Sequence, residues 1–258
     1  MTAVLRLERD GPLAILTLAR PPLNLFDDAM FEALRAAVDE VAADAPRGLL
    51  IRAEGRVVSG GVDVHVFDAM SPETAAALWR ELLEVVHVVE ALPFPTVFAA
   101  HGLCLTAAFE LALACDLLLA AESARFGLVE TVVGLTPAMG GTQRLAERAG
   151  PARARELVMT GDLYDAGTLE RWNVVNRVLP DDRFADAAHG FAMALADGPT
   201  RAHAATKTLV RAQVQGDAHA ADALVADVAG ALFATHDLRN AVRSFLDHGP
   251  GHATFEGH

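Results

Sequence analysis

The sequence predicts an α/β fold: a layered core of strands and helices over residues 1–195, completed by an all-helical region over residues 196–258. Three observations carry that prediction. The chain has 258 residues, 52% of them hydrophobic, enough to bury one sizeable core. Short β-prone apolar runs alternate with longer segments of helical periodicity through the first two-thirds, the pattern of a layered α/β architecture. Beyond about residue 181 the β-prone runs stop, and helical segments follow one another.

Residues 4–7 and 14–18 flank Asp10-Gly11, a turn pair that predicts a hairpin. Met30, Leu34, Val38 and Val41 recur at near-helical spacing and predict an amphipathic helix over 27–43, opened by Asp27 or Asp28. GLLIR at 48–52 reads as a buried strand. Ser71-Pro72 is a helix start, with Ser as cap and Pro at the first helical position; the helix runs to about Ala91, before Pro93 and Pro95. TVFAA at 96–100 is a strand. Small residues at 106–108 lead into a helix through Ala114, and CDLLLA at 115–120 is a further strand. The late helices are expected over 184–196, 201–214, 219–234 and 238–246, separated by Gly, Pro and Asp.

The net charge is −13, with Lys207 the single lysine, which argues against nucleic-acid or anionic-membrane partners because both need a basic surface. Two cysteines, Cys104 and Cys115, with no CxxC give neither a disulfide framework nor a cysteine zinc site. The ten histidines lack metal-ligand spacing such as HExxH, so no metal is expected. The N-terminus does not read as a signal peptide, and no uninterrupted apolar run is long enough to cross a bilayer. The expected location is the cytoplasm.

Three segments carry chemistry. RVVSGGVDV at 56–64 places paired glycines after a β-prone pair, and glycines allow backbone angles that turn an N–H into a pocket. In HGLCLTAAFELALACD at 101–116, Glu110 sits within a helix that is otherwise hydrophobic; a carboxylate there needs a partner or a task. In FGLVETVVGLTPAMGGTQRL at 126–145, Glu130 is another acid among valines. The AMGGT turn lacks the lysine of a phosphate-binding loop. Ser59 lacks the G-x-S-x-G frame of a serine hydrolase.

The order and spacing of these segments resemble the crotonase (enoyl-CoA hydratase/isomerase) family over nearly the whole chain, from Val4 to about Phe255. The matching stretches are RPPLN at 20–24, SGGVD at 59–63, HGL…FELALACDLLLAAESARFG at 101–127, VE at 129–130 and GGTQRL at 140–145. ELALACD followed by ARFG, an acid and P-x-x-GGTQRL is the specific part; SGGVD alone is weak.

The resemblance implies a spiral of β-β-α turns with a C-terminal helical region that drives trimerisation, the trimers often pairing into hexamers. It implies an acyl-CoA substrate with no cofactor beyond the coenzyme A that the substrate carries. By motif match, the backbone N–H groups of Val62 and Ala107 bind the thioester oxygen, and Glu110 and Glu130 hold the reacting water. Gly61, Asp63, His65 and Ala138 fall at substrate-binding positions of the motifs. Two acids imply hydration of a 2-enoyl-CoA; isomerisation or another enolate reaction is the alternative, and a non-catalytic acyl-CoA binder ranks third. Gln143, Arg144 and Thr142 are expected to organise a loop below the site. The chain departs from the family pattern at Thr106-Ala107-Ala108, where a glycine triplet is common, at Ala138, at His65 in place of lysine, and at His248-Gly249-Pro250.

Overall fold

The computed structural model describes residues 3–68 and 70–258. Strands β1 (Leu5–Asp10) and β2 (Leu13–Leu18) form the predicted antiparallel hairpin, with β2 buried throughout. Helix α1 (Asp28–Asp44) starts where Asp27 accepts the Met30 N–H, and it buries the face of Met30, Leu34, Val38 and Val41. Strand β3 (Gly48–Ala53) then pairs parallel to β2. Helix α2 (Pro72–Ala91) opens with a capping box between Ser71 and Thr74, which satisfies two N–H groups at its start.

Strands β4 (Thr96–Ala100) and β5 (Leu103–Leu105) are followed by helix α3 (Thr106–Ala114). Strands β6 (Leu117–Ala121) and β7 (Arg125–Gly127) come next, then helices α4 (Gly141–Ala149) and α5 (Pro151–Thr160). Strand β8 (Tyr164–Asp165), helix α6 (Ala166–Arg171) and strand β9 (Arg177–Leu179) end this part.

The main sheet has the order β1-β2-β3-β4-β6-β9, parallel apart from the hairpin, and the smaller sheet has the order β5-β7-β8. Parallel bridges Phe26–Val62 and Ser59–Cys104 continue the pairing beside the smaller sheet. Each turn of chain therefore gives one strand to the main sheet, one short extended piece beside the smaller one, and a helix. β4, β5 and α3 are one such β-β-α turn, as the family resemblance implied. The short strands escape sequence reading because three residues are too few for a period to register.

Residues 142–144, expected in a loop, form the first turn of α4 instead. The helix was hidden because its buried face carries Gly141, Arg144 and Leu145 rather than an apolar stripe.

Helix α7 (Phe184–Ala196) packs on the main sheet through Phe184, Ala188, Ala192 and Ala196, a four-residue ladder of mostly small side chains that allows close approach. Helices α8 (Thr200–Gln215), α9 (Ala218–Leu232) and α10 (His236–His248) bury almost nothing: Thr200 in α8, no residue in α9, Asp237 in α10. Phe233, Val242, Phe245 and Leu246 are exposed on this region. Among the described residues, no single helix is long and apolar enough to cross a membrane.

Candidate active site

All nine residues of α3 are buried, so this short helix is core on every side. Glu110 is its one ionisable residue and is only 3% exposed. A carboxylate so placed needs hydrogen bonds, and the backbone of the 138–141 turn supplies them. Oε2 accepts the N–H of Met139 at 2.8 Å and that of Gly141 at 2.7 Å. The neighbouring Ala138 backbone also favours the ionised carboxyl. Gly141 has to lack a side chain here, because a Cβ would lie 2.7 Å from Glu110 Cγ.

Arg144, one turn into α4, fixes the turn from behind. Its Nε and Nη2 donate to the two carboxylate oxygens of Glu90 at 2.7 and 2.6 Å, and its Nη1 donates to the Gly140 carbonyl at 3.1 Å. This planar fork ties the turn under Glu110 to the end of α2.

Glu130 begins the 3-10 turn Glu130–Val133 that follows β7. It is half-buried, and its Oε2 is buried without a hydrogen-bond partner among the described residues. A buried carboxylate oxygen lacking a donor is costly, and such an orphan marks a place where something polar is expected to sit.

Both acids titrate far above an ordinary carboxyl. Burial, then the charge of Glu130, push Glu110 up to about 8, against the pull of its backbone N–H donors. Burial pushes Glu130 up to about 7. Two acids from separate motifs thus each carry a carboxyl raised by burial, and Glu110 also feels the charge of Glu130.

The glycine motif is held by a loop further up the chain. Asn24 is fully buried; its Oδ1 accepts the Arg20 N–H, and its Nδ2 donates to the carbonyls of Glu54 and Val57. Ser59 Oγ donates to the Asn24 carbonyl at 2.8 Å and accepts the Gly61 N–H at 3.0 Å. Gly61 has φ +104°, a backbone that side-chain-bearing residues avoid, and it passes the chain to Val62.

The Val62 N–H points at α3, where it donates to Thr106 Oγ1 at 3.1 Å. Ala107 is the second residue of α3, whose start carries no side-chain cap. Its N–H thus belongs to a buried helix N-terminus, with the positive end of the helix dipole behind it.

Asp63 and His65, two further predicted residues, follow Val62 in the chain. Asp63 accepts the His65 N–H at 3.1 Å and pairs with His65 Nδ1 at 2.7 Å, capping the 3-10 turn Val64–Phe67. The pair lowers the Asp63 carboxyl and raises the His65 imidazole. His65 is exposed, and its partner is Asp63 rather than either acid.

Sequence reasoning missed Glu90, Asn24 and the Thr106 hydroxyl. Glu90 lies on a helix whose acids look like surface residues. Asn24 carried a signal, a buried-type asparagine inside the RPPLN match. Thr106 carried one only as a departure from glycine.

The family model described as "Enoyl-CoA hydratase/isomerase" matches residues 8–257. A "Probable enoyl-CoA hydratase EchA17" of Mycobacterium tuberculosis is 34% identical over 77% of this chain and 77% of its own length. A "Crotonyl-CoA hydratase" of Syntrophomonas wolfei is 30% identical over 93% of this chain and 94% of its own. Among solved structures, the enoyl-CoA hydratase of Bacillus anthracis superposes with a TM-score of 0.91 at 25% identity, covering 99% of this chain and 100% of that one.

Proposed function

Because the chain belongs to the enoyl-CoA hydratase/isomerase family, we propose that it adds water across the 2,3 double bond of an enoyl-CoA thioester. The observation that carries this reading is the pair Glu110 and Glu130: one buried and one half-buried carboxyl, both poised near neutrality, the second with an unpartnered oxygen. Between them such a pair keeps about one proton at neutral pH, so it offers a base and an acid at once.

In this reading a water molecule sits between the two carboxyls. The ionised one takes the water's proton as its oxygen attacks the β-carbon. Electrons move through the double bond onto the thioester oxygen, giving an enolate. The protonated carboxyl then delivers its proton to the α-carbon, and the enolate collapses to the 3-hydroxyacyl thioester. Preorganised donors at the thioester oxygen, from the Val62 and Ala107 side, carry the negative charge; one such donor is typically worth about 3–4 kcal/mol.

Gly61, Asp63, His65 and Ala138 are read as lining the substrate's path. Coenzyme A enters as part of the substrate, and no separate cofactor is needed for the chemistry. The exposed apolar residues of α10, among them Phe245 and Leu246, support assembly into a trimer or a pair of trimers. We place the enzyme in the cytoplasm.

Isomerisation is the nearer alternative, and it needs one acid to move one proton between carbons. A second acid buried within 3% of full enclosure is unfavourable to keep unless it works, which favours hydration. The test is loss of enoyl absorbance with crotonyl-CoA and longer 2-enoyl-CoAs. An enzyme inactive on every chain length overturns the reading. Conversion of a 3-enoyl-CoA to its 2-enoyl isomer that survives Glu110→Ala and is lost in Glu130→Ala assigns isomerisation instead.

A further inference from the structure

Resting on the hydratase reading, we propose that the Thr106 hydroxyl is itself an oxyanion donor: it accepts the Val62 N–H and passes a hydrogen bond on to the thioester oxygen. Four observations converge on it. Thr106 Oγ1 already occupies the Val62 N–H, at 3.1 Å. The hydroxyl's own hydrogen finds no acceptor among the described residues, and the residue is 7% exposed. Thr106 has φ +44°, a left-handed backbone that is a real strain for a β-branched residue and recurs at working sites. Finally, Gly61 is shaped to receive it, since a Cβ there would lie 2.7 Å from Oγ1.

The chemistry follows from the inventory of a hydroxyl, which accepts with its lone pairs and donates one hydrogen. Here one lone pair takes the Val62 N–H and the donating side is free. The next residue offers the Ala107 N–H at the uncapped start of α3. The oxyanion site then consists of one O–H and one N–H, with the Val62 N–H behind the O–H as its polariser. Hydrogen bonds in such a chain strengthen one another as charge builds on the last oxygen. A thioester oxygen that reached Val62 directly would first have to displace a buried hydroxyl from the Val62 N–H.

Thr106→Ser, Thr106→Val and Thr106→Gly separate this arrangement from a hydroxyl that merely blocks the site. Each is assayed for hydration and for the absorption of bound 2,4-hexadienoyl-CoA, whose red shift reports polarisation of the thioester carbonyl. Serine is expected to keep kcat within about threefold. Valine, equal in shape, is expected to lose about 100-fold or more in kcat, with KM little changed and the red shift diminished. Glycine is expected to fall below wild type. Wild-type kcat in Thr106→Val, an undiminished red shift in that variant, or a kcat/KM of Thr106→Gly above wild type overturns the proposal. The absorption arm needs only binding, so a wild type that binds the dienoyl thioester but hydrates nothing sinks the hydratase reading and still tests the hydroxyl.

Discussion

Glu110 Oε2 accepts the Gly141 N–H at 2.7 Å, joining the middle of one buried helix to the first residue of another. That bond and its neighbour from Met139 fix one carboxylate oxygen and leave the rest of the group for chemistry. If both acids share one water, replacing either by its amide removes the proton traffic while keeping the shape. Glu110→Gln and Glu130→Gln should each lower kcat by about 100- to 10,000-fold, with acyl-CoA affinity little altered. Steady-state hydration kinetics with calorimetric binding of a saturated acyl-CoA check this, and full activity in either variant contradicts it.

The pH profile follows from the two raised carboxyls. With Glu110 near 8 and Glu130 near 7, the pair is doubly protonated below that interval and lacks a base. Above it, the pair is doubly ionised and lacks an acid. The kcat/KM of wild type should therefore be a narrow bell peaking between about pH 7 and 8, its limbs belonging to the pair rather than to either residue. A flat profile from pH 6 to 9 would remove the acid/base assignment.

The same burial works against stability. The Glu110 carboxyl keeps its proton to about 8 when folded but releases it near its ordinary value of 4.5 when unfolded. Between those values the folded chain binds more protons, so stability falls as pH rises through the interval. Glu110→Gln is spared that loss and retains an oxygen for the Met139 and Gly141 N–H groups. Its melting temperature should exceed that of wild type by several degrees at pH 8, and the difference should shrink toward pH 4.5. An equal melting temperature at pH 8 would mean that the site is wetter than its burial implies.

How far the sequence announces this site depends on the range over which each signal acts. Helix α1 is legible because Met30, Leu34, Val38 and Val41 write its buried face into one short window. Glu110 is legible because an acid stands out in an apolar helix. Helix α4 is not, since Arg144 occupies the buried position where an apolar residue would advertise it. The bond from Val62 to Thr106 spans 44 positions in the chain, and no local pattern encodes which hydroxyl meets which N–H. The titration of the acids is likewise a property of enclosure, set by walls contributed from several segments. Motif resemblance supplied residue identities for the site; burial and partnership came only with the fold.

Arg144 offers a test of how far the support for Glu110 extends. Its side chain is 9% exposed, bridging Glu90 and the Gly140 carbonyl. Arg144→Met should lower the melting temperature, because it leaves the half-buried Glu90 without its partner. It should also lower kcat by about tenfold, since small misplacements of catalytic groups are magnified in rate. Adding Glu90→Gln should recover stability without recovering kcat. Parallel recovery of both would show that the fork serves only the fold.

Gly61 meets two constraints at once, and they can be separated. Its φ of +104° disfavours any side chain, and a Cβ would press on Thr106 Oγ1 at 2.7 Å. Gly61→Ala should therefore cost about 1–3 kcal/mol of stability from backbone strain. It should also disturb the Thr106 hydroxyl at the Val62 N–H, lowering kcat beyond what the loss of folded protein explains. Combining Gly61→Ala with Thr106→Gly removes the collision but not the backbone strain. The double variant should thus regain part of the melting temperature while kcat stays low, because the hydroxyl is gone. Recovery of wild-type kcat in that double variant would place the oxyanion donors in the backbone alone and leave Thr106 with a packing role.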